Sequence, residues 1–242
     1  LALADHQRDF LREATRRGGE GRFAHHTAVI STPKREGKTL CAALIGAWRA
    51  SCFEDQREYV LANSERQAAS NIFDAISGFF RDSPKLKAFV PPSGFGRRRL
   101  DFPFTRSFVE TLPCNEATTQ GLAVDVLLSD ELHAAENPRA FEFLSNQTEA
   151  VDAQVVIASQ AGAPVDSNPL WRLYQAREEA GVFFYYLTEH CLPWACALAE
   201  RQKGKLLPGE WEYQHRNAWG ATGLTLLPSD LVEGAYMDYA PP

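Results

Sequence analysis

The stretch "TAVISTPKREGKTLCAALIGAWRA", residues 27–50, changes its period half-way. Thr27 to Ser31 form a short β-branched, apolar run that reads as a buried strand, and from Gly37 onward the composition is helical. Between them lie Thr32, Pro33, Lys34, Arg35 and Glu36, with Gly37-Lys38-Thr39 at the point where the helix opens. A helix N-terminus offers unpaired N–H groups and a positive dipole end, so GK[ST] between a strand and a helix makes a seat for phosphate. Gly37 lets the backbone approach closely, Lys38 bridges the β and γ phosphates, and the Thr39 hydroxyl holds magnesium. Lys34 and Arg35 add cations that a loop around three phosphates can use. The full pattern begins with a glycine, where this chain has Thr32. An exposed loop that merely caps a helix is the plainer alternative, and the flanking strand and helix weigh against it.

Working outward, "ADHQRDFLREATRR" has helical spacing with Asp5 as its expected cap, and "RGGEGR" breaks it. "REYVLAN" reads as a second strand. The following segment, "SERQAASNIFDAISGFFRDSP", reads as a helix opened by Ser64 and ended by Pro84. "RRRLDFP" and "RSFVETLP" have the lengths and breakers of a hairpin. "VDVLLSDE" and "DAQVVIAS" are near-continuous apolar runs, as expected of strands covered on both faces. Helices "NPRAFEFLSNQ" and "NPLWRLYQAREEAG" follow them, and "VFFYYLT" is a fifth strand candidate. This alternation predicts an α/β fold of the P-loop NTPase, RecA-like kind, a mostly parallel central sheet with helices on both faces. Residues 1–189 are the expected ATPase core, and 190–242, rich in Trp and Pro, an expected lid or linker.

Composition narrows the classes. A chain of 242 residues, 45% hydrophobic, can bury a large core, and no apolar run approaches the roughly 20 residues of a membrane span. We expect a soluble protein without a signal peptide. Cysteines 41, 52, 114, 191 and 196 form no CxxC pair, which argues against a disulfide framework or zinc knuckle and for a reducing, intracellular setting. A net charge of −6 confines any nucleic-acid contact to a local patch, best placed at "GRRR", residues 96–99. The chain opens at Leu1 without a methionine, as a piece of something longer would.

A magnesium nucleotide site needs a carboxylate at a strand end for the ion and a second group to orient water. Asp130 and Glu131, closing "VDVLLSDE", suit those roles: Asp130 with Thr39 on the metal, Glu131 with Lys38 in catalysis.

With "TPKREGKT", "LLSDELHAA" and "VVIASQAG" in this order, the chain resembles the ATPase domain of large terminase subunits, the DNA-packaging motors of tailed bacteriophages. The resemblance spans most of the chain. That family's phosphate loop commonly lacks the first glycine and carries basic residues before GK[ST], as here. The resemblance implies ATP and Mg2+ as cofactors and Gln7 in "DHQRDFL" as an adenine contact. It also implies a coupling role for Ser159 or Gln160. The family's trans-acting arginine has no counterpart at Thr119-Gln120-Gly121, so Arg97, Arg98, Arg99, Arg106 and Arg139 are the candidates. Further implications are double-stranded DNA held by its backbone, a homo-oligomeric ring on the capsid portal and a small terminase subunit as partner. The setting would be the cytoplasm of the infected bacterial host, with no nuclease activity expected of this piece. Two rivals remain: a DEAD/H-type helicase, since "DELH" resembles that acidic box, and a nucleotide-binding ring scaffold without turnover. The helicase needs a second RecA-like domain, for which this length has no room. The scaffold has no use for Glu131.

Overall fold

The computed structural model describes residues 2–61, 71–113, 119, 121–135, 138–148 and 152–220. Its centre is a seven-stranded sheet: β1 (Thr27–Ser31), β2 (Arg57–Leu61), β3 (Arg99–Phe102), β4 (Ser107–Leu112), β5 (Val126–Asp130), β6 (Gln154–Ser159) and β7 (Val182–Tyr186). The strand order is β3-β4-β2-β5-β6-β1-β7. All pairs are parallel except β3–β4, the expected hairpin. Parallel neighbours need crossovers, and those supply the helices that cover both faces.

Side chains alternate across each strand, so one strand feeds two cores. Ala28, Ile30, Val60, Val126, Leu128 and Val156 face α1 (Asp5–Ala14), α2 (Lys38–Cys52) and α3 (Ile72–Asp82). Val29, Tyr59, Leu127, Val155 and Ile157 face the other way, against Phe141 and Leu144 of α4 (Pro138–Ser145) and Leu170 of α5 (Pro169–Gln175). The predicted α/β class and two-sided cover are therefore present.

Some details differ from expectation. Asp5 is the first residue of α1 and not its cap; the cap position falls on Ala4, whose N–H donates to Gln7 Oε1 at 3.1 Å, while the Asp5 carboxylate pairs with Arg8. The long helix expected from residue 169 stops at Gln175. Ser64 lies outside the described residues, and the described helix there begins at Ile72. Beyond β7 the chain forms two further helices, α6 (Pro193–Gln202) and α7 (Pro208–Arg216), each with proline in its first turn, where a missing N–H costs nothing. Cys41, Cys52, Cys191 and Cys196 are free thiols, and Cys114 lies outside the described residues. No described helix is long and apolar enough to cross a membrane.

Candidate functional site

The register aligns the ends of the three central strands. Ser31 lies beside Ser159, and Asp130 beside Ala158, so the segments after β1, β5 and β6 emerge together at one edge of the sheet. In open α/β sheets this carboxyl edge is where ligands bind.

The loop after β1 turns back through two left-handed residues, Arg35 at φ 75° and Gly37 at φ 82°. Gly37 is doubly constrained, because a Cβ there would also run into the Gln7 amide. That amide donates to Glu36 O at 3.0 Å, and His6 Nε2 lies 2.9 Å from the same oxygen, so α1 braces the loop from behind. Thr32 and Pro33 are buried, while Lys34 and Arg35 are exposed. The Glu36 carboxylate is fully buried and points inward, 2.8 Å from His190 Nδ1 and 3.2 Å from the Cys191 N–H. It therefore serves the tail and does not point its charge at phosphate.

Lys38 opens α2 and is only 6% exposed; its Nζ stands 3.4 Å from Glu131 Oε1. Thr39 Oγ1 donates to Asp130 Oδ1 at 3.4 Å. Asp130 Oδ2 accepts from Asn71 Nδ2 at 2.6 Å, a bond that uses the side chain at the N-cap position of α3. Burial, then the adjacent Glu131 charge, pushes Asp130 up to about 6, with Asn71, Lys38 and Thr39 pulling the other way. Glu131 itself has a left-handed backbone, φ 54°, which turns its carboxylate out of the strand toward Lys38. Among the described residues, one buried ammonium thus faces two acids at the mouth of a helix N-terminus. That excess of negative charge suits a site completed by a cation, and Thr39 with Asp130 presents oxygen donors of the hard kind magnesium prefers.

Ser159 Oγ accepts the His133 N–H at 3.1 Å and donates to Gln160 O at 3.1 Å. Gln160 Nε2 reaches Tyr213 O and Gln214 O of α7 at 3.5 and 3.4 Å. The tail also meets the phosphate loop directly: Lys34 N–H donates to Gln214 O at 2.9 Å, and Lys34 Nζ lies 3.4 Å from Gln214 Oε1. Asn217, just past α7, donates to Ser31 Oγ at 3.0 Å and accepts the Ala161 N–H at 2.6 Å.

No protein-family model matches the sequence, and no curated protein matches it. Solved structures do. The HK97 bacteriophage large terminase superposes with a TM-score of 0.68 at 17% identity, over 90% of this chain and 50% of that one. The large terminase of a thermophilic bacteriophage gives 0.70 at 11% identity, over 90% and 54%. The Thermus phage P74-26 large terminase ATPase domain gives 0.62 at 12% identity, over 90% and 99%. This chain has the fold of a phage large terminase ATPase domain. It spans about half the length of the first two terminases and nearly all of the isolated P74-26 domain. The second of these, from the thermophilic bacteriophage, has also been solved in complex with ADP.

On this terminase fold, Gln7, Lys38, Thr39, Asp130, Glu131 and Ser159 lie together at the carboxyl edge of the sheet. The arginine candidates are scattered. Arg106 pairs with Glu54 and Asp55 at the opposite end of β4, so it turns away from the phosphate loop. Arg99, on the outer strand β3, bonds Asp101 of the same strand and Glu110 of β4, five strand spacings from β1 or about 24 Å. Arg97 and Arg98 are exposed in the turn closed by Gly96 N–H to Arg99 O, and Arg139 is exposed in the first turn of α4. Asn71, His133 and Tyr213 belong to the site and carry no motif-level signal of their own; only "DELH" brings His133 near in sequence.

Proposed function

We propose that this chain is an ATPase that drives translocation of double-stranded DNA, the nucleotide-hydrolysing part of a terminase-type packaging motor. The observation that carries the reading is the convergence of Lys38, Thr39, Asp130 and Glu131 at one helix N-terminus. ATP would lie with its phosphates over the start of α2, where backbone N–H groups and Lys38 receive the β and γ oxygens. Glu131, held by its turn and by Lys38 when the site is empty, would exchange that ammonium for an attacking water once the γ phosphate takes Lys38. Thr39 and Asp130 would hold magnesium, which when bound spreads the charge of the phosphate oxygens. Catalysis is then mostly positioning and charge neutralisation.

Gln7 would set the purine end of the nucleotide by bracing Glu36 and Gly37, its amide being engaged with the loop. Ser159 and Gln160 link the acidic turn to α7, which suits a coupling role. An arginine from a neighbouring copy in a ring, with Arg97, Arg98, Arg99, Arg106 and Arg139 as candidates, would speed turnover. DNA would be gripped by its backbone, since a packaging motor accepts any sequence. A capsid portal and a small terminase subunit complete the proposed assembly, in the cytoplasm of an infected bacterium.

The test is phosphate release from ATP with and without DNA. Glu131→Gln should lower the rate at least about 100-fold while nucleotide binding persists, and Lys38→Ala should abolish both. Equal rates for wild type and Glu131→Gln would remove the catalytic assignment.

A further inference from the structure

Glu131 is held on two sides. Its Oε1 faces Lys38, and its Oε2 lies 3.2 Å from His133 Nδ1. The other ring nitrogen of His133, Nε2, meets the Tyr213 hydroxyl of α7, and its backbone N–H is anchored on Ser159 Oγ. Gly162 makes room for this ring: a Cβ there would come within 2.9 Å of His133 Cβ.

We infer that His133 is the positioning residue through which Tyr213 of the tail and Ser159 of the β6 turn set the aim of the Glu131 carboxylate. The inference rests on the ATPase reading and adds a component to it. The direction of each hydrogen bond follows from chemistry. The single proton of Ser159 Oγ goes to Gln160 O, so His133 Nδ1, 3.0 Å from that oxygen, donates to it, and the Tyr213 phenol, which burial and next the Glu131 charge keep protonated, donates to the other ring nitrogen. Nε2 must then accept. A neutral imidazole that accepts at Nε2 carries its proton at Nδ1, and that nitrogen, bonded to Ser159 Oγ at 3.0 Å, lies 3.2 Å from Glu131 Oε2. Burial, with Lys38 adding to it against the opposing pull of Glu131, lowers His133 and favours the neutral ring. Were Tyr213 absent, the ring could adopt the other tautomer and present a lone pair to the carboxylate, which would repel it. Lys38 alone would not then hold Glu131, because bound phosphate competes for the same ammonium.

Three substitutions separate this role from simple packing. Asn places its amide near the Nδ1 position but cannot reach Tyr213. His133→Leu should lower kcat by roughly tenfold to a hundredfold with KM for ATP little changed, the cost of a displaced catalytic group. His133→Asn should recover part of that loss, and Tyr213→Phe should match His133→Asn. All are compared with wild type, Lys38→Ala and Glu131→Gln in steady-state ATP hydrolysis with DNA present, after thermal melts establish the folded fraction. Turnover that falls in Glu131→Gln but not in His133→Leu or Tyr213→Phe overturns the inference alone. A loss in His133→Leu that tracks the folded fraction, with no recovery in His133→Asn, makes the ring a packing element and overturns it as well. A wild type no faster than Glu131→Gln overturns the ATPase reading and this inference with it.

Discussion

At the amino ends of the strands Arg57 grips Asp125 with its N–H, Nε and Nη2 at 2.9, 2.7 and 3.2 Å, whereas at the carboxyl ends Asp130 and Glu131 share one ammonium. Arg57 and Asp125 form a dedicated pair there, and Glu58, whose buried oxygens have no hydrogen-bond partner, is shifted toward its neutral form by burial. Arg49, fully buried, donates to Gln56 and to Asp152 O and stacks on Phe23 and Phe53; Glu58 beside it is raised well above the usual carboxylate range by burial. At the carboxyl ends, among the described residues, two acids gather round Lys38, and neutral groups, Asn71, Thr39 and His133, hold them in place. A buried charge with a dedicated partner serves folding; a cluster of acids around one ammonium is poised for a ligand.

The largest effect that would sharpen this contrast is at the amino end. Arg49→Ala opens a cavity and leaves Gln56 Oε1 and the Asp152 carbonyl without their buried donor, so we expect a loss of about 3–5 kcal/mol in urea unfolding. The hydrolysis rate per folded molecule should not change. A rate loss with intact stability would break the division between the two ends.

Asp130→Asn should act in the opposite sense. A carboxyl whose folded value of about 6 stands above its unfolded 3.8 costs nothing below about pH 4. That cost grows as pH rises through the window between those values and is complete at pH 7. Removing the charge should therefore stabilise the protein at pH 7 by about 1–2 kcal/mol. This is less than the full shift implies, because an amide presents a donor to Asn71 or Thr39 where an oxygen stood. The stability difference from wild type should shrink from pH 7 to pH 4, while hydrolysis is lost throughout. A destabilised Asp130→Asn at pH 7 would mean that the acid is fully matched within the chain.

Gly37→Ala should cost about 1–2 kcal/mol for the left-handed backbone alone, and more activity than stability, since Gln7 must give way. The smallest effect is expected at Arg106, whose solvent-exposed pairs with Glu54 and Asp55 should be dispensable. Arg106→Ala should leave both the melting temperature and the hydrolysis rate where they were.

The phosphate loop and the acidic strand end were legible because each joins a short motif to a change of period: Ser31 to Lys38 at one, Leu128 to Glu131 at the other. The tail was not. Its helices α6 and α7 are held by polar bonds to distant positions, Lys34 to Gln214 and Glu36 to His190, and such pairings leave no periodicity in the sequence. Asn71 was hidden for a related reason: it fell inside the helix expected from Ser64, and only the fold puts it at a helix start with its amide on Asp130. Asp5 misled in the reverse direction. It has the right residue type beside a helix start, but the Gln7 side chain already serves the first free N–H.

The strand order has a consequence for biosynthesis. β1, made early, takes β6 on one side and β7 on the other, so Thr27 must wait for both Val155 and Val182 before its ladder can close. During translation the strand that leads into the phosphate loop stays without its final neighbours until β7 has left the ribosome, a long-range closure that slows folding. Nascent chains stalled before β6 should therefore be unable to retain a nucleotide.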